Sequence, residues 1–314
     1  MAMNKNDSIL ILGAKGLVGS ALVRELQKKN YSNILTPTHH ELNLTIQRNV
    51  LDYFNKHHPK NLILAAAKVG GIHANNTYRA DFLWQNLAIE TNVFQAAFES
   101  NVDKFLFLGS TCIYPKNCPQ PIKEEYLLTS PLEETNEPYA IAKIAGLKMA
   151  ENFKRQYGKN FFSVMPTNLY GINDNYHPEN SHVIPGLIAR MKKTIDEKKE
   201  TFEVWGTGNP RREFLYVDDL ARACIFLMNS KENLPYHINV GTGSDISIGE
   251  LASTIARIMK FNGKIVYNTS MPDGTYKKTT DISLITNLGW IPEISLEEGL
   301  QKAINFYLEN TTQE

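Results

Sequence analysis

The chain has 314 residues, 42% hydrophobic and 21% charged, which is enough for a substantial core and two lobes rather than a short binding module. Its 33 basic residues balance 33 acidic ones, so no net field draws it to nucleic acid or to an anionic membrane, and neither is expected as a partner. Three cysteines, Cys112, Cys118 and Cys224, lack the short paired spacing of a zinc site, so no metal is expected and a reducing cytoplasm suits them.

In chain order, a polar start gives way to a short apolar run at 9–12 that stops at Gly13, too brief for an export signal. No apolar run approaches the roughly 20 residues of a membrane-spanning helix. Strands are predicted at 9–12, 33–36, 61–66, 104–109 and 161–165, alternating with helices at 17–29, 47–56, 83–100 and 140–157. Such alternation predicts a parallel sheet with helices on both faces. From Tyr170 the texture changes: a polar stretch at 171–181, a helix at 183–193, and a Gly/Pro-rich segment at 205–212, WGTGNPRR. A helix at 218–228 and a strand at 237–240 can rejoin the first sheet, and helices at 248–260 and 296–308 follow.

The first strand runs directly into Gly13, Ala14, Lys15, Gly16, Leu17, Val18 and Gly19, which open the first helix. Gly13 permits the tight turn, Gly16 a close backbone approach to a pyrophosphate, and Gly19 close packing of helix on strand. The helix N-terminus adds amide donors and positive dipole charge. Strand, glycine turn and helix together imply a dinucleotide-binding Rossmann-type fold: an α/β doubly wound parallel sheet with a smaller, interleaved C-terminal substrate lobe. The expected division is 1–169 for the cofactor, rejoined by segments near 213–242, and 170–314 mainly for the substrate. Enzymes selecting NAD carry a carboxylate after the second strand for the ribose hydroxyls. Here that strand leads to Thr38, His39 and His40, with Glu41 only later, so NADP(H) is favoured, Lys15 and His39 being the nearest groups for its 2′-phosphate.

Tyr139 and Lys143 stand four apart, on one face of a helix. A free phenol has a pKa near 10, and an adjacent ammonium lowers it toward useful acid–base chemistry. The strand at 104–109 ends in Ser110, Thr111 and Cys112, at the carboxyl end of a parallel strand where ligands sit. Ser110 would hydrogen-bond a substrate carbonyl while Tyr139 transfers the proton; the bland alternative for Ser110 is a hydroxyl bonding its own turn.

Several blocks now resemble the GDP-L-fucose synthase family: AAAKVGGI at 65–72, GSTCIYP at 109–115, NEPYAIAKIAG at 136–146, SVMPTNLYG at 163–171, NSHVIP at 180–185 and REFLYVDD at 212–219. The likeness runs nearly end to end. It implies an NADPH-dependent enzyme that epimerises C3 and C5 of GDP-4-keto-6-deoxy-D-mannose and then reduces C4. It also implies roles for two residues the reductase motif leaves idle, Cys112 as base and His182 as acid of the epimerisation. By the same resemblance Leu108, Gly109, Ser110, Lys143, Pro166, Thr167, Asn168, Leu169 and His182 line the cofactor, and Arg190, Trp205, Arg212 and Asp273 contact the GDP-sugar. An arginine offers a planar fork for phosphate and Trp205 a flat face for a base or sugar. The alternatives are a solvated helix face for Arg190 and a turn, PDG at 272–274, for Asp273. The family carries arginines where Lys15 and His39 stand, which weakens the expected NADP preference. A narrower enzymatic reading keeps only C4 reduction, on a GDP-4-keto-heptose or other GDP-4-keto sugar. A retired, cofactor-sensing fold predicts a broken Tyr–Lys pair, and here both are intact. A homodimer through the helices at 83–100 and 140–157 is expected by analogy.

Overall fold

The computed structural model describes residues 2–177, 181–271 and 273–311. Strand and helix alternate through the first half. β1 (Ile9–Leu12) leads into α1 (Leu17–Lys28), β2 (Ile34–Leu35) into α2 (Gln47–His57), and β3 (Asn61–Leu64) through α3 (Ile72–Thr77) into α4 (Arg79–Glu99). β4 (Lys104–Leu108), α5 (Glu137–Tyr157) and β5 (Asn160–Pro166) complete the run. Next come β6 (Asn168–Tyr170), α6 (Val183–Asp196), β7 (Thr201–Trp205), β8 (Arg211–Arg212), β9 (Phe214–Tyr216), α7 (Val217–Met228) and β10 (His237–Val240). The chain ends with β11 (Ile246–Ser247), α8 (Ile248–Ile258), β12 (Lys264–Asn268), β13 (Lys277–Lys278), α9 (Ser283–Asn287) and α10 (Leu296–Thr311).

Six strands form one parallel sheet in the order β10-β5-β4-β3-β1-β2. The chain moves from β1 out to β2, then returns to the other side of β1 as β3. That reversal opens a crevice beyond the carboxyl ends of β1 and β3, where open α/β sheets hold ligands. β1, β3 and β4 are buried throughout, as strands covered on both faces must be. One face packs Leu22, Leu26, Leu220 and Leu227 of α1 and α7 against Ile9, Ile11, Leu106 and Ile238. The opposite face packs Phe54, Val93, Phe94 and Ala150 of α2, α4 and α5 against Leu10, Leu62, Phe105 and Phe161. A third core gathers Tyr170, Ile188, Phe202, Tyr216, Leu251, Ile255 and Leu300 from the later elements.

The doubly wound sheet is as expected, and β10 does return to it, pairing His237 to Val240 with Ser163 to Pro166. Among the boundaries that differ, three have a local reason. β2 keeps only two paired residues where four were predicted; Pro37, just beyond it, has no N–H to give the ladder. α4 starts at Arg79 rather than 83, with Asp81 in its first turn favourably placed for the helix dipole. α5 starts at Glu137 rather than 140 because Pro138 suits a first helical turn. Among the described residues no helix is long and apolar enough to cross a membrane.

Candidate active site

The glycine turn sits at the crevice between β1 and β3. Gly13 has φ +89°, and a Cβ there would stand 2.7 Å from the Ala66 amide nitrogen, so neither the backbone nor the neighbouring β3 exit admits a side chain. A Cβ on Gly19 would run into the Gly13 carbonyl and stand 2.6 Å from Ala14 Cα, so α1 can approach the turn only with glycine there. Gly16 is different. Its φ is −79°, and a Cβ would meet only the Gly13 carbonyl oxygen, at 3.6 Å. The fold itself leaves room for a side chain at Gly16. Gly16 caps α1 without a side-chain hydrogen bond, and no acidic residue stands in the first turn. The amides of an uncapped helix start facing such a cradle fit a dinucleotide pyrophosphate.

Lys15 and His39 are both exposed at this edge. Glu41, the first carboxylate after β2, is turned back onto its own loop. The chain turns back after Thr38, and Glu41 accepts the Thr38 amide at 2.7 Å. Hydrogen bonds from Thr38 hold Glu41 below the usual carboxylate range, and the Lys15 charge adds to this. Its oxygen is thus engaged by the protein's own turn.

At the end of β4, Leu108 turns its carbonyl to Lys143 Nζ at 3.0 Å. The Gly109 amide donates to Val164 at 2.9 Å, and a Cβ on Gly109 would stand only 2.5 Å from Met165 Sδ. Ser110 is extended and caps a one-turn 3-10 helix over Thr111–Ile113, its Oγ accepting the Cys112 amide at 3.2 Å. The turn-capping alternative for Ser110 is therefore real, but it uses only acceptor capacity. The hydroxyl proton remains available to a substrate oxygen. Cys112 is a free, half-buried thiol.

Tyr139 and Lys143 lie one turn apart on α5, with the ammonium 5.8 Å from the Tyr139 ring centroid and 4.7 Å from that of Phe107. The expected lowering of the phenol pKa is not found. Burial pushes Tyr139 well above the ordinary tyrosine value, and negative charge on Cys112 and Glu90 pushes the same way. That sensitivity places Cys112 and Tyr139 in one electrostatic neighbourhood. Lys143 is engaged elsewhere: Glu90 Oε1, on α4, lies 3.4 Å from its Nζ, and both side chains are almost sealed from solvent. Burial lowers Lys143, with Glu90 opposing. Glu90 is raised to about 7 by desolvation, against the pull of Lys143 and the Gly146 amide.

Pro166 ends β5, and the Thr167 amide donates to Val240 at 3.0 Å. Asn168 and Leu169 follow in β6, which pairs with β9. The Asn168 side-chain amide donates to the Glu213 carbonyl at 2.9 Å. Glu213, fully buried, is a hub that sequence reasoning missed. Its carboxylate accepts the amides of Thr242 at 2.6 Å, Gly243 at 2.7 Å and Thr280 at 2.7 Å, and the Thr280 hydroxyl at 2.7 Å.

His182 occupies the N-cap position of α6, but its ring makes no cap hydrogen bond. Its surface is exposed, while the protein around it depresses its pKa through desolvation, keeping the imidazole neutral over more of the pH range. Arg190 stacks over Trp205, 4.5 Å from the ring centroid, and donates to the Glu203 carbonyl at 3.1 Å. Arg212 donates to the Arg211 and Thr275 carbonyls, at 2.8 and 2.5 Å. Burial lowers both guanidiniums. The Asp273 carboxylate accepts the amide (2.9 Å) and hydroxyl (2.7 Å) of Thr207, so it clamps the 205–210 loop beside Trp205. These four residues come together around that loop and the 273–275 segment. Asn180 and Pro272, in two of the sequence blocks, lie outside the described residues.

A doubly wound parallel sheet with a glycine cradle at its switch point is the architecture of a dinucleotide-dependent enzyme. The chain belongs to the NAD dependent epimerase/dehydratase family, whose model matches residues 9–241. It is 52% identical to GDP-L-fucose synthase 1 of Arabidopsis thaliana, over 98% of this chain and 95% of the relative, and 49% identical to the GDP-L-fucose synthase of Escherichia coli (strain K12), over 96% and 97%. Its fold matches a GDP-mannoheptose C4 reductase of Campylobacter jejuni, solved with NADP bound, at TM-score 0.89 and 36% identity over 98% and 99% of the two chains.

Proposed function

We propose that this protein is an NADPH-dependent epimerase and reductase of a GDP-4-keto sugar, inverting C3 and C5 and then reducing C4, with GDP-L-fucose as product. The observation that carries the reading is the Cys112 thiol placed with Ser110 on one turn at the end of β4, in the electrostatic neighbourhood of Tyr139. The relatives named GDP-L-fucose synthase support the substrate class.

The C4 ketone acidifies the protons on C3 and C5. Cys112 removes a proton from one face and His182 returns one to the other; thiols and imidazoles as classes suit such proton transfers, and the desolvation that depresses His182 makes its imidazolium the readier proton donor. Ser110 and Tyr139 hold the enolate oxygen on C4, and the same pair serves the alkoxide later, Tyr139 giving up its phenolic proton. NADPH, when bound, supplies the hydride for C4. Gly13, Gly16 and Gly19 with the start of α1 would hold its pyrophosphate, 166–169 and Lys143 its nicotinamide half, and Lys15 and His39 its 2′-phosphate. Arg190, Trp205 and Arg212 would grip the GDP moiety, with Asp273 fixing the loop that presents Trp205.

Segments 1–169 and 213–242 make up the cofactor-binding part and the rest mainly the substrate lobe. The enzyme acts in the cytoplasm as a homodimer whose contact uses the outer faces of α4 and α5, where Trp84, Ile141 and Tyr157 are exposed. A second reading, C4 reduction of a GDP-4-keto-heptose with little epimerase activity, is favoured by the likeness to the heptose reductase. Incubating the protein with GDP-4-keto-6-deoxymannose in deuterated water, without cofactor, separates them. Deuterium at C3 and C5 is expected, and its absence sinks the dual activity. Product analysis across a panel of GDP-4-keto sugars then fixes the sugar.

A further inference from the structure

The catalytic set as the sequence presents it contains no acid beneath Lys143, yet the structure places one there. Glu90 projects from α4 into the seam with α5 and is 1% exposed. Its Oε1 lies 3.4 Å from Lys143 Nζ. Room for the carboxylate exists because position 146 is glycine: a Cβ there would stand 2.8 Å from Glu90 Oε2 and collide with the Phe107 ring. A buried ammonium with no counter-charge is costly, and so is a buried carboxylate. Here each answers the other, and the Leu108 carbonyl takes a second of the lysine's three donors. The groups facing the pair are Tyr139 and the Gly146 amide on α5, and the Phe107 ring and Leu108 carbonyl of β4.

The geometry points to Glu90 as a positioning residue of the active site: its carboxylate pins the Lys143 ammonium at the end of β4 and keeps it charged inside the sealed α4–α5 seam. This rests on the proposed reductase reading. Glu90 touches neither substrate nor cofactor in this role; it acts through Lys143. Removing its charge leaves the desolvation of Lys143 unopposed, so the lysine loses its proton at lower pH. The same change removes a negative charge that raises Tyr139. Both effects bring the alkaline limb of the reduction rate to lower pH.

The test uses Glu90→Gln, which keeps the shape, and Glu90→Asp, which keeps the charge. With an opposite charge at this range worth roughly 1–3 pKa units, the alkaline limb of kcat for Glu90→Gln should fall by about one unit or more, while Glu90→Asp stays near the wild-type position. A Glu90→Gln profile superimposing on wild type overturns the proposal. A second readout needs neither substrate nor cofactor. Carbon-13 labelling of glutamate side chains follows the Glu90 carboxyl in the resting protein, which burial pushes up to about 7. In Lys143→Met that titration should move up by about one unit or more; an unmoved titration also overturns it. Wild-type protein that fails to turn over any GDP-4-keto sugar would defeat the functional reading, while the carboxyl titration would still decide the Glu90–Lys143 coupling.

Discussion

Two alanine substitutions in the glycine turn separate what the fold requires from what the ligand requires. Gly13→Ala forces an L-residue to φ +89°, which costs about 1–2 kcal/mol. It also drives a methyl to 2.7 Å from the Ala66 amide nitrogen and 2.9 Å from Ala65 carbonyl carbon, both backbone atoms that have nowhere to go. Overpacking of this kind adds roughly 1–3 kcal/mol. The sum, about 2–5 kcal/mol, is a large share of a typical stability of 5–15 kcal/mol. Gly16→Ala keeps an ordinary φ, and its methyl finds only the Gly13 carbonyl, at 3.6 Å. It should cost only about 1 kcal/mol of stability, the penalty of alanine against glycine at an N-cap. Its methyl would nonetheless stand between the α1 amides and a pyrophosphate. Loss of one hydrogen bond to a charged group, about 1.5–3 kcal/mol, weakens NADPH binding roughly tenfold to a hundredfold. Calorimetric melting and NADPH fluorescence titration read the two quantities. A Gly16→Ala protein that binds NADPH like wild type, or a Gly13→Ala protein that melts like wild type, refutes the division.

Further expectations concern the chemistry and the acid stability. Tyr139→Phe should suppress ketone reduction by about a hundredfold or more while leaving the NADPH titration nearly unchanged; retained reduction would remove Tyr139 as the proton donor. Cys112→Ser should abolish deuterium uptake at C3 and C5 far more than it slows reduction of a pre-epimerised sugar, and equal losses in both assays count against separate roles. For Asp245, desolvation raises the carboxyl, but hydrogen bonds from Thr279, Arg211 and Lys277 together outweigh it and bring it down to about 2. A carboxyl depressed in the fold adds stability above its ordinary value, near 3.8, and that part is lost as pH falls through about 2. Melting curves of Asp245→Asn should therefore be flatter than wild type between those limits, and an identical acid slope would contradict the assignment.

The sheet and the cofactor turn were legible because their signals are local: buried strands read as apolar runs, and a strand, a glycine turn and a helix follow one another without a gap. The order of Ser110, Tyr139 and Lys143 was legible for the same reason. The expected effect of Lys143 on Tyr139 was not, because the lysine's actual partner lies 53 positions earlier on another helix. A signal for it existed. Phe82, Asn86, Glu90, Val93 and Ala97 recur at helical spacing and are all buried, so Glu90 sits on the inward stripe of α4 where an acid needs a partner. Nothing local marked Glu213, whose donors come from 242–243 and 280, or the folding back of Glu41 onto Thr38. Helix starts at Arg79 and Glu137 were missed because apolar periodicity begins later than the polar first turn that the dipole and Pro138 favour.

The fan of donors around Glu213 limits how this enzyme can be re-engineered. Its backbone carbonyl receives Asn168, its carboxylate receives residues of 242–243 and 280, and its immediate neighbour is Arg212. A chimera spliced once near residue 170 to import another sugar preference would split this joint between two parents. Grafts should exchange 167–170, 211–216, 242–245 and 278–281 as a matched set, even though these segments are scattered along the gene.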